Sequence, residues 1–295
     1  MAKPTIIDKV DRQELEAGYI IDALYQFHGY DFRNYEKRSV ISRLSWRTQR
    51  WQLQHISELL PLILHSKKHL QILLSDLSIT VTEMFRDPAL FSKLVEEVFP
   101  YLDTFPFFKI WHAGCSTGEE VYSLAILLHE HGLYERAQIY ATDFNPMALK
   151  TAREGIYPES NYDHFNKQYK ASGGKFSLDR YFTAGFDNML VDRNLKRRIV
   201  FSLHNLVADG SFGVMELIIC RNVLIYFDKN LKLRVIKLFN ESLYHNGFLF
   251  LGSSETMKIE NSLELMRVEK CASLFRKVPK TNRKQPFYQE KRISV

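Results

Sequence analysis

Cysteine is scarce in this chain, with three residues, Cys115, Cys220 and Cys271, among 295. They form no C-x-x-C pair and no Cys/His cluster, which excludes a disulfide framework and a zinc site and leaves buried thiols and no metal as the expectation. No stretch reaches the roughly 18 apolar residues of a membrane span. The opening Met1-Ala2-Lys3-Pro4-Thr5 lacks the apolar segment of a secretory signal, so a cytoplasmic location without membrane insertion is expected. Also missing is a G-x-G-x-x-G run. In Gly114-Cys115-Ser116-Thr117-Gly118 a serine holds the middle place, which disfavours a pyrophosphate ligand. What is present is 45% hydrophobic residues with 13% aromatics, enough for substantial cores. A formal charge of +6 points to an acidic partner without choosing among nucleic acid, anionic membrane and acidic protein.

The organising stretch is Phe108 to Leu124. It reads as a buried strand, a glycine turn from Gly114 to Gly118, and a helix from Glu119 that carries Leu124, Leu127 and Leu128 on one side. That is the first unit of a parallel α/β sheet, whose ligands bind beyond the carboxyl ends of the strands. A second strand, Gln138 to Thr142, ends in Asp143, placed to hold the two hydroxyls of a ribose. The pair predicts an adenosine-type cofactor. A looser G-x-S-x-G match at 114–118 would suit a hydrolase elbow, with His204 as the late histidine.

From about Asp11 to Leu77 the pattern is helical. Ile20, Ile21, Leu24 and Phe27 recur at helical spacing, Gly29-Tyr30-Asp31 breaks the run, and a second helix covers about Tyr35 to Trp51. On it Val40, Ile41, Leu44 and Trp51 share one arc, and Arg43, Arg47 and Arg50 share a neighbouring one. The reading is one packed side and one charged side. Three arginines favour bidentate recognition of carboxylate or phosphate, so the arc is taken as a docking surface, the plain alternative being a solvated basic face. Two shorter helices follow, then a linker, and Pro88 opens the next helix with Asp87 as its cap. A helix begins at Asn145-Pro146, residues 156–198 interrupt the α/β rhythm, and Ser172-Gly173-Gly174-Lys175 reads as a hairpin turn. The sheet resumes at Ile199, and the strand Met215–Cys220 ends at Arg221, Asn222 and Tyr226, on the same edge as Gly114 and Asp143.

Three runs carry a resemblance: Gly114 to Glu120 with Tyr122-Ser123, Cys220-Arg221-Asn222-Val223-Leu224-Ile225-Tyr226-Phe227, and Gly252-Ser253-Ser254-Glu255. From about residue 15 to about 278 the chain resembles the CheR family of chemoreceptor glutamate methyltransferases, which use S-adenosylmethionine. The resemblance implies an all-α docking domain over 1–77 and a linker at 78–90 that contributes to the active site. It further implies a Rossmann-like class I methyltransferase domain over 91–280, with an antiparallel β-subdomain inserted at about 156–198. A basic, disordered tail is expected over 281–295. By the same resemblance Thr80, Thr82, Arg86, Gly114, Glu120, Asp143, Asn205, Leu206, Arg221 and Asn222 bind the cofactor, with Glu120 at its amino-acid part, Asp143 at the ribose, and Asn205 and Leu206 at the adenine. Departures from the family pattern are Thr80 for asparagine, Met84 for phenylalanine, and Ser253 where histidine is common. The hairpin from Thr183 to Leu190 lacks the glycine-rich pattern with which some members grip a receptor's C-terminal pentapeptide.

Methyl transfer to a carboxylate needs no general base, because a glutamate is already ionised at neutral pH. The site must orient the nucleophile, and Arg86 and Tyr226 are expected to do so, by a bidentate grip and a hydroxyl donor. Expected partners are the glutamate-rich methylation helices of chemoreceptors, met by Arg43, Arg47 and Arg50, with the chain a monomer and nucleic acid excluded. Methyltransferases of exocyclic base amines resemble one another in a D/N-P-P-Y/F run, and here Arg221-Asn222-Val223-Leu224 stands at that place. A module that binds the cofactor without turnover is the remaining alternative.

Overall fold

A computed structural model describes residues 9–78, 82–255, 264–269 and 271–278. The described residues open with the α-helices α1 (Lys9–His28), α2 (Lys37–Arg50), α3 (Leu59–His65) and α4 (Lys67–Leu77). Ile20, Leu24, Val40, Leu44, Leu59, Ile63, Leu73 and Leu74 meet in one apolar core, so each helix buries a single stripe and none is stable alone. Then come α5 (Pro88–Glu97), α6 (Phe99–Asp103), β1 (Phe108–Ala113), α7 (Glu119–Glu130), β2 (Ala137–Asp143) and α8 (Pro146–Glu154). The interrupted region holds β3 (Ile156–Pro158), α9 (Tyr162–Ala171), β4 (Phe182–Gly185) and β5 (Asn188–Val191). The remainder is β6 (Ile199–Leu203), β7 (Met215–Cys220), α10 (Lys229–Ser242), β8 (Leu243–Leu251), β9 (Leu265–Val268) and β10 (Cys271–Lys277).

The seven-stranded sheet runs β6-β2-β1-β7-β8-β10-β9. Its first five strands are parallel, and β10 and β9 close it antiparallel. β1 sits where the order reverses, with β2 on one side and β7 on the other. That reversal opens a crevice beyond the strand ends, which positions the site. Phe108 and Ile110 of β1 pack on the α7 side, while Trp111 and Ala113 belong to the core on the opposite face. A second sheet, β3-β5-β4, is antiparallel and lies within residues 156–198. Ser172 to Lys175 is not a hairpin there. Ser172 and Gly173 close the end of α9, their amides donating to the carbonyls of Gln168, Tyr169 and Lys170, because Gly173 at φ +86° lets the chain leave the helix. Among the described residues no helix is long and apolar enough to cross a membrane. The expected tail 281–295 lies outside the described residues.

The helical domain is tied directly to the rim of the sheet. Glu36 N–H donates to the Tyr226 carbonyl at 2.8 Å, and Asp228 N–H to the Asn34 carbonyl at 2.9 Å. Tyr35 stacks edge-on against Phe227 at 5.0 Å, and Phe32 against Phe144 at 5.8 Å. Asn145 Nδ2 donates to Ser78 Oγ at 2.6 Å.

Candidate active site

Beyond the ends of β1, β2 and β7 lies a cleft of about 860 Å³, counting the space open to solvent. Thr82, Arg86, Gly114, Glu120, Asp143, Asn205, Leu206, Arg221, Asn222 and Tyr226 all line it, so the structure brings these separate runs together. The helical domain adds Tyr35, Leu77 and Ser78. Thr80 lies outside the described residues. Arg43, Arg47 and Arg50 are not in its wall.

The glycine turn is built by backbone conformation. Gly114 has φ +75°, and a Cβ there would come within 2.5 Å of a Val223 methyl, so the turn after β1 and the segment after β7 fit only with glycine. The amides of Gly114 and Cys115 donate to the Thr142 carbonyl at 2.8 and 2.9 Å, which binds the turn to the end of β2. The Ser116 amide then donates to Asp143 Oδ2 at 2.8 Å and the Asn145 amide to Oδ1 at 2.9 Å. Burial pushes the Asp143 carboxyl above the usual range, and these backbone donors work against that rise. Each carboxylate oxygen has a second lone pair, so two ribose hydroxyls can still be accepted.

The floor is organised by Arg221, whose side chain is wholly buried. Its Nη1 donates to Glu120 Oε2 at 2.8 Å, and its Nη2 to Asp87 Oδ2 at 2.8 Å and to the Arg86 carbonyl at 3.0 Å. Phe91 and Phe250 flank the guanidinium, their ring centres 5.5 and 5.3 Å away. Burial alone would raise Glu120, but Arg221, His112 and Arg86 outweigh it and hold the carboxyl below its usual range. Both terminal nitrogens of Arg221 point at protein groups and hold Glu120 in place, while its Nε is buried without a hydrogen-bond partner in the cleft that Arg221 lines. Asp87 is not the helix cap read from the sequence. It makes no cap bond to α5, because its carboxylate is engaged by Arg221. Phe85 and Asp87 bracket Arg86 at φ +54° and +56°, a conformation costing non-glycine residues about 1–3 kcal/mol each. The buried Phe85 ring, its amide bond to Ser123 Oγ and the Asp87–Arg221 pair hold that shape and set Arg86 at the cleft wall.

At the rim, burial raises the Tyr226 hydroxyl, and Arg43 and Arg86 oppose the rise. Arg43 sits 5.1 Å over the Tyr226 ring and donates to the Asp76 and Leu77 carbonyls at 3.2 and 2.8 Å, closing the end of α4. Arg47 is buried, 8% exposed, and forks onto the Asp76 carboxylate with Trp46 and Trp51 beside it. The arc read from the sequence as a docking surface therefore turns inward at Arg47, is half-buried at Arg43, and is exposed at Arg50 alone. The physical reason lies at the end of α4, where the Asp76 carboxylate takes Arg47 and the Asp76 and Leu77 carbonyls take Arg43.

Two residues escaped the sequence reading. Glu255, after β8, accepts the amides of Asn222, Val223, Leu224 and Gly252 at 2.7–2.9 Å and so shapes the segment that carries Asn222. His112, near the end of β1, lines the cleft at 2% exposure. The G-S-S-E run was a signal for the first, and nothing local marked the second. Neither ring nitrogen of His112 has a hydrogen-bond partner, nor do Ser116 Oγ, Glu120 Oε1 and Asn222 Oδ1, although all are buried. A buried polar atom left unpaired costs about 1–3 kcal/mol, and several on one wall fit a polar ligand such as the amino-acid end of S-adenosylmethionine.

Sheet order, glycine turn and acidic strand end define a class I methyltransferase domain with S-adenosylmethionine as its cofactor. The model of the CheR methyltransferase S-adenosylmethionine-binding domain matches residues 80–272, that of the CheR all-alpha domain matches residues 16–78, and the chain belongs to the CheR methyltransferase family. It is 44% identical to the Pseudomonas putida protein Cher3 over 83% of this chain and 89% of that one. It is 30% identical to the chemotaxis protein methyltransferase of Borreliella burgdorferi over 84% of this chain and 90% of that one. An uncharacterized 104.1 kDa protein of Rhodobacter capsulatus matches at 32% identity, and there the match covers 81% of this chain but 25% of the longer protein.

Proposed function

We propose that the protein is a cytoplasmic protein-glutamate O-methyltransferase that esterifies glutamate side chains of chemoreceptors. The observation that carries this reading is the polarity of the cleft. Its buried wall sets Glu120 and Asp143 with Arg221, which neutralises Glu120, whereas the half-buried Arg86 and Tyr226, with Arg43 behind the Tyr226 ring, bring a cation and a hydroxyl to the rim. A carboxylate nucleophile suits that rim and needs no base. Consistent with this, the carboxylates at the site are engaged elsewhere: Glu120 with Arg221, Asp143 with two amides, Glu255 with four amides and Asp87 with Arg221.

S-adenosylmethionine supplies an electrophilic methyl group. Glu120 holds the amino-acid end, Asp143 the ribose, and Asn205 and Leu206 the adenine side. Asn222, fixed at φ +59° by the Glu255 clamp on its own amide, brings an unpaired Oδ1 to the wall. Arg86 and Tyr226 orient the incoming carboxylate, without binding its charge so tightly that its nucleophilicity is lost. The exposed part of α2, with Arg38, Trp46 and Arg50, faces an acidic receptor helix. The test is transfer of labelled methyl from S-adenosylmethionine to receptor-bearing membranes. Label released as methanol by base supports the ester. Base-stable label indicates nitrogen methylation, and cofactor binding without transfer indicates a non-catalytic module, and either result sinks the reading.

A further inference from the structure

The placement of His112 beside Glu120 is specific. Side chains alternate along β1, so His112 shares the α7 side with Phe108 and Ile110. It is the residue of that series nearest the strand end, and there it meets the first turn of α7. Its register partners on β2 and β7 are Ala141 and Ile219, which offer no polar side chain. His112 Nε2 lies 3.3 Å from Glu120 Oε1, a charge contact, while its Nδ1 is buried with no hydrogen-bond partner. Other charged groups at this wall have contacts of their own: Glu120 Oε2 is on Arg221, Asp143 is on two amides, and Arg221 also reaches Asp87 through its terminal nitrogens, its Nε being left without a partner. A histidine that served only the core would be satisfied by a neighbour, at a gain of about 1 kcal/mol per bond.

We infer that His112, together with Glu120 Oε1, binds the amino-acid end of S-adenosylmethionine and is a selectivity residue for that end. The inference rests on reading the cleft as the cofactor site. The ligand's ammonium brings three donors and its carboxylate brings acceptors, and the two ring nitrogens of an imidazole can meet them. Glu120 takes the ammonium, and the ring beside it completes a pair that a ligand without the amino-acid end does not use.

The experiment is calorimetry on the full chain with two probes, S-adenosylhomocysteine and methylthioadenosine, which has the adenosine and the sulfur but not the amino-acid end. The variants are His112→Phe, which fills the ring volume without nitrogen, and His112→Gln, which returns a donor and an acceptor. His112→Phe is expected to weaken S-adenosylhomocysteine binding about 10- to 100-fold and methylthioadenosine binding less than about twofold, with His112→Gln recovering part of the loss. Where His112→Phe does not fold, the same ratio is read on His112→Ala. Equal weakening of both probes would show a merely structural histidine, and no change with either would overturn the inference while leaving the cofactor site intact. If the parent itself failed to bind S-adenosylhomocysteine, the reading of the cleft would fall and the inference with it.

Discussion

Two consecutive glutamates open α7, and the two sides of that turn treat them in opposite ways. Glu119 and Glu120 are 8% and 6% exposed, so burial alone does not separate them. Glu119 lies on the side of Tyr157 and has the Thr117 hydroxyl as donor at 2.6 Å, and burial lifts its carboxyl to about 7. Glu120 faces the cleft, and Arg221, His112 and Arg86 outweigh its burial and keep it below the ordinary range. The lesson is that a cation within reach, not the helix position, decides whether a buried carboxylate stays charged. One side of the turn takes up a proton near neutrality, and the other is a fixed anion at the cofactor cleft.

Removing Arg221 should erase the contrast at the largest cost. Arg221→Met strands Glu120 and Asp87 and should lower unfolding free energy in urea by about 3–5 kcal/mol, with part regained when Glu120→Gln and Asp87→Asn are added. An unfolding free energy equal to the parent's would break the comparison outright. Glu119→Gln tests the other side. The folded pKa of Glu119 is raised, so its favourable contribution is complete below the unfolded value and disappears as pH rises through about 7. Glutamine should thus stabilise the protein by about 1–3 kcal/mol more at pH 8 than at pH 5, and a stability difference flat across that range would show Glu119 is not neutral in the folded state.

Glu120→Gln should weaken S-adenosylhomocysteine about 10- to 100-fold by calorimetry while Glu119→Gln stays within about twofold. Similar losses in both variants would leave the cleft side nothing special. Tyr226→Phe should slow methyl transfer about tenfold and leave cofactor affinity unchanged if, as proposed, its hydroxyl orients the nucleophile. The smallest effect belongs to exposed Arg50. Arg50→Glu should reduce receptor methylation a few-fold at low salt, and the deficit should shrink as salt rises, with rate measurements across an ionic-strength series as the check.

The strand, glycine turn and helix around Gly114 were legible because local periodicity and turn chemistry specify them, and Asp143 followed from its place at a strand end. Ten of the site residues read from the sequence line one cleft, for the further reason that the runs around Gly114 and Arg221 are distinctive. What stayed hidden are pairings across long sequence distances. The helical spacing of Arg43, Arg47 and Arg50 shows a shared arc, but nothing near Arg47 reveals that Asp76, 29 residues on, turns it inward. Asp87 has the composition of a helix cap, and only Arg221, 134 residues away, explains why it does not act as one. His112 reads as one more member of a buried strand, because only the fold brings it beside Glu120, eight residues on.

The strap from Asn34 to Glu36 also bears on how this molecule can be taken apart. Its main chain grips Asp228 and Tyr226, the residue proposed to steer the nucleophile, and Tyr35, Leu77 and Ser78 finish the cleft wall. Chemistry and domain border are therefore made of the same few residues. Cutting the chain at residue 78 would not yield a receptor binder and a catalyst as separable halves, because the sheet fragment would keep its floor and lose one wall and the anchor of its steering tyrosine.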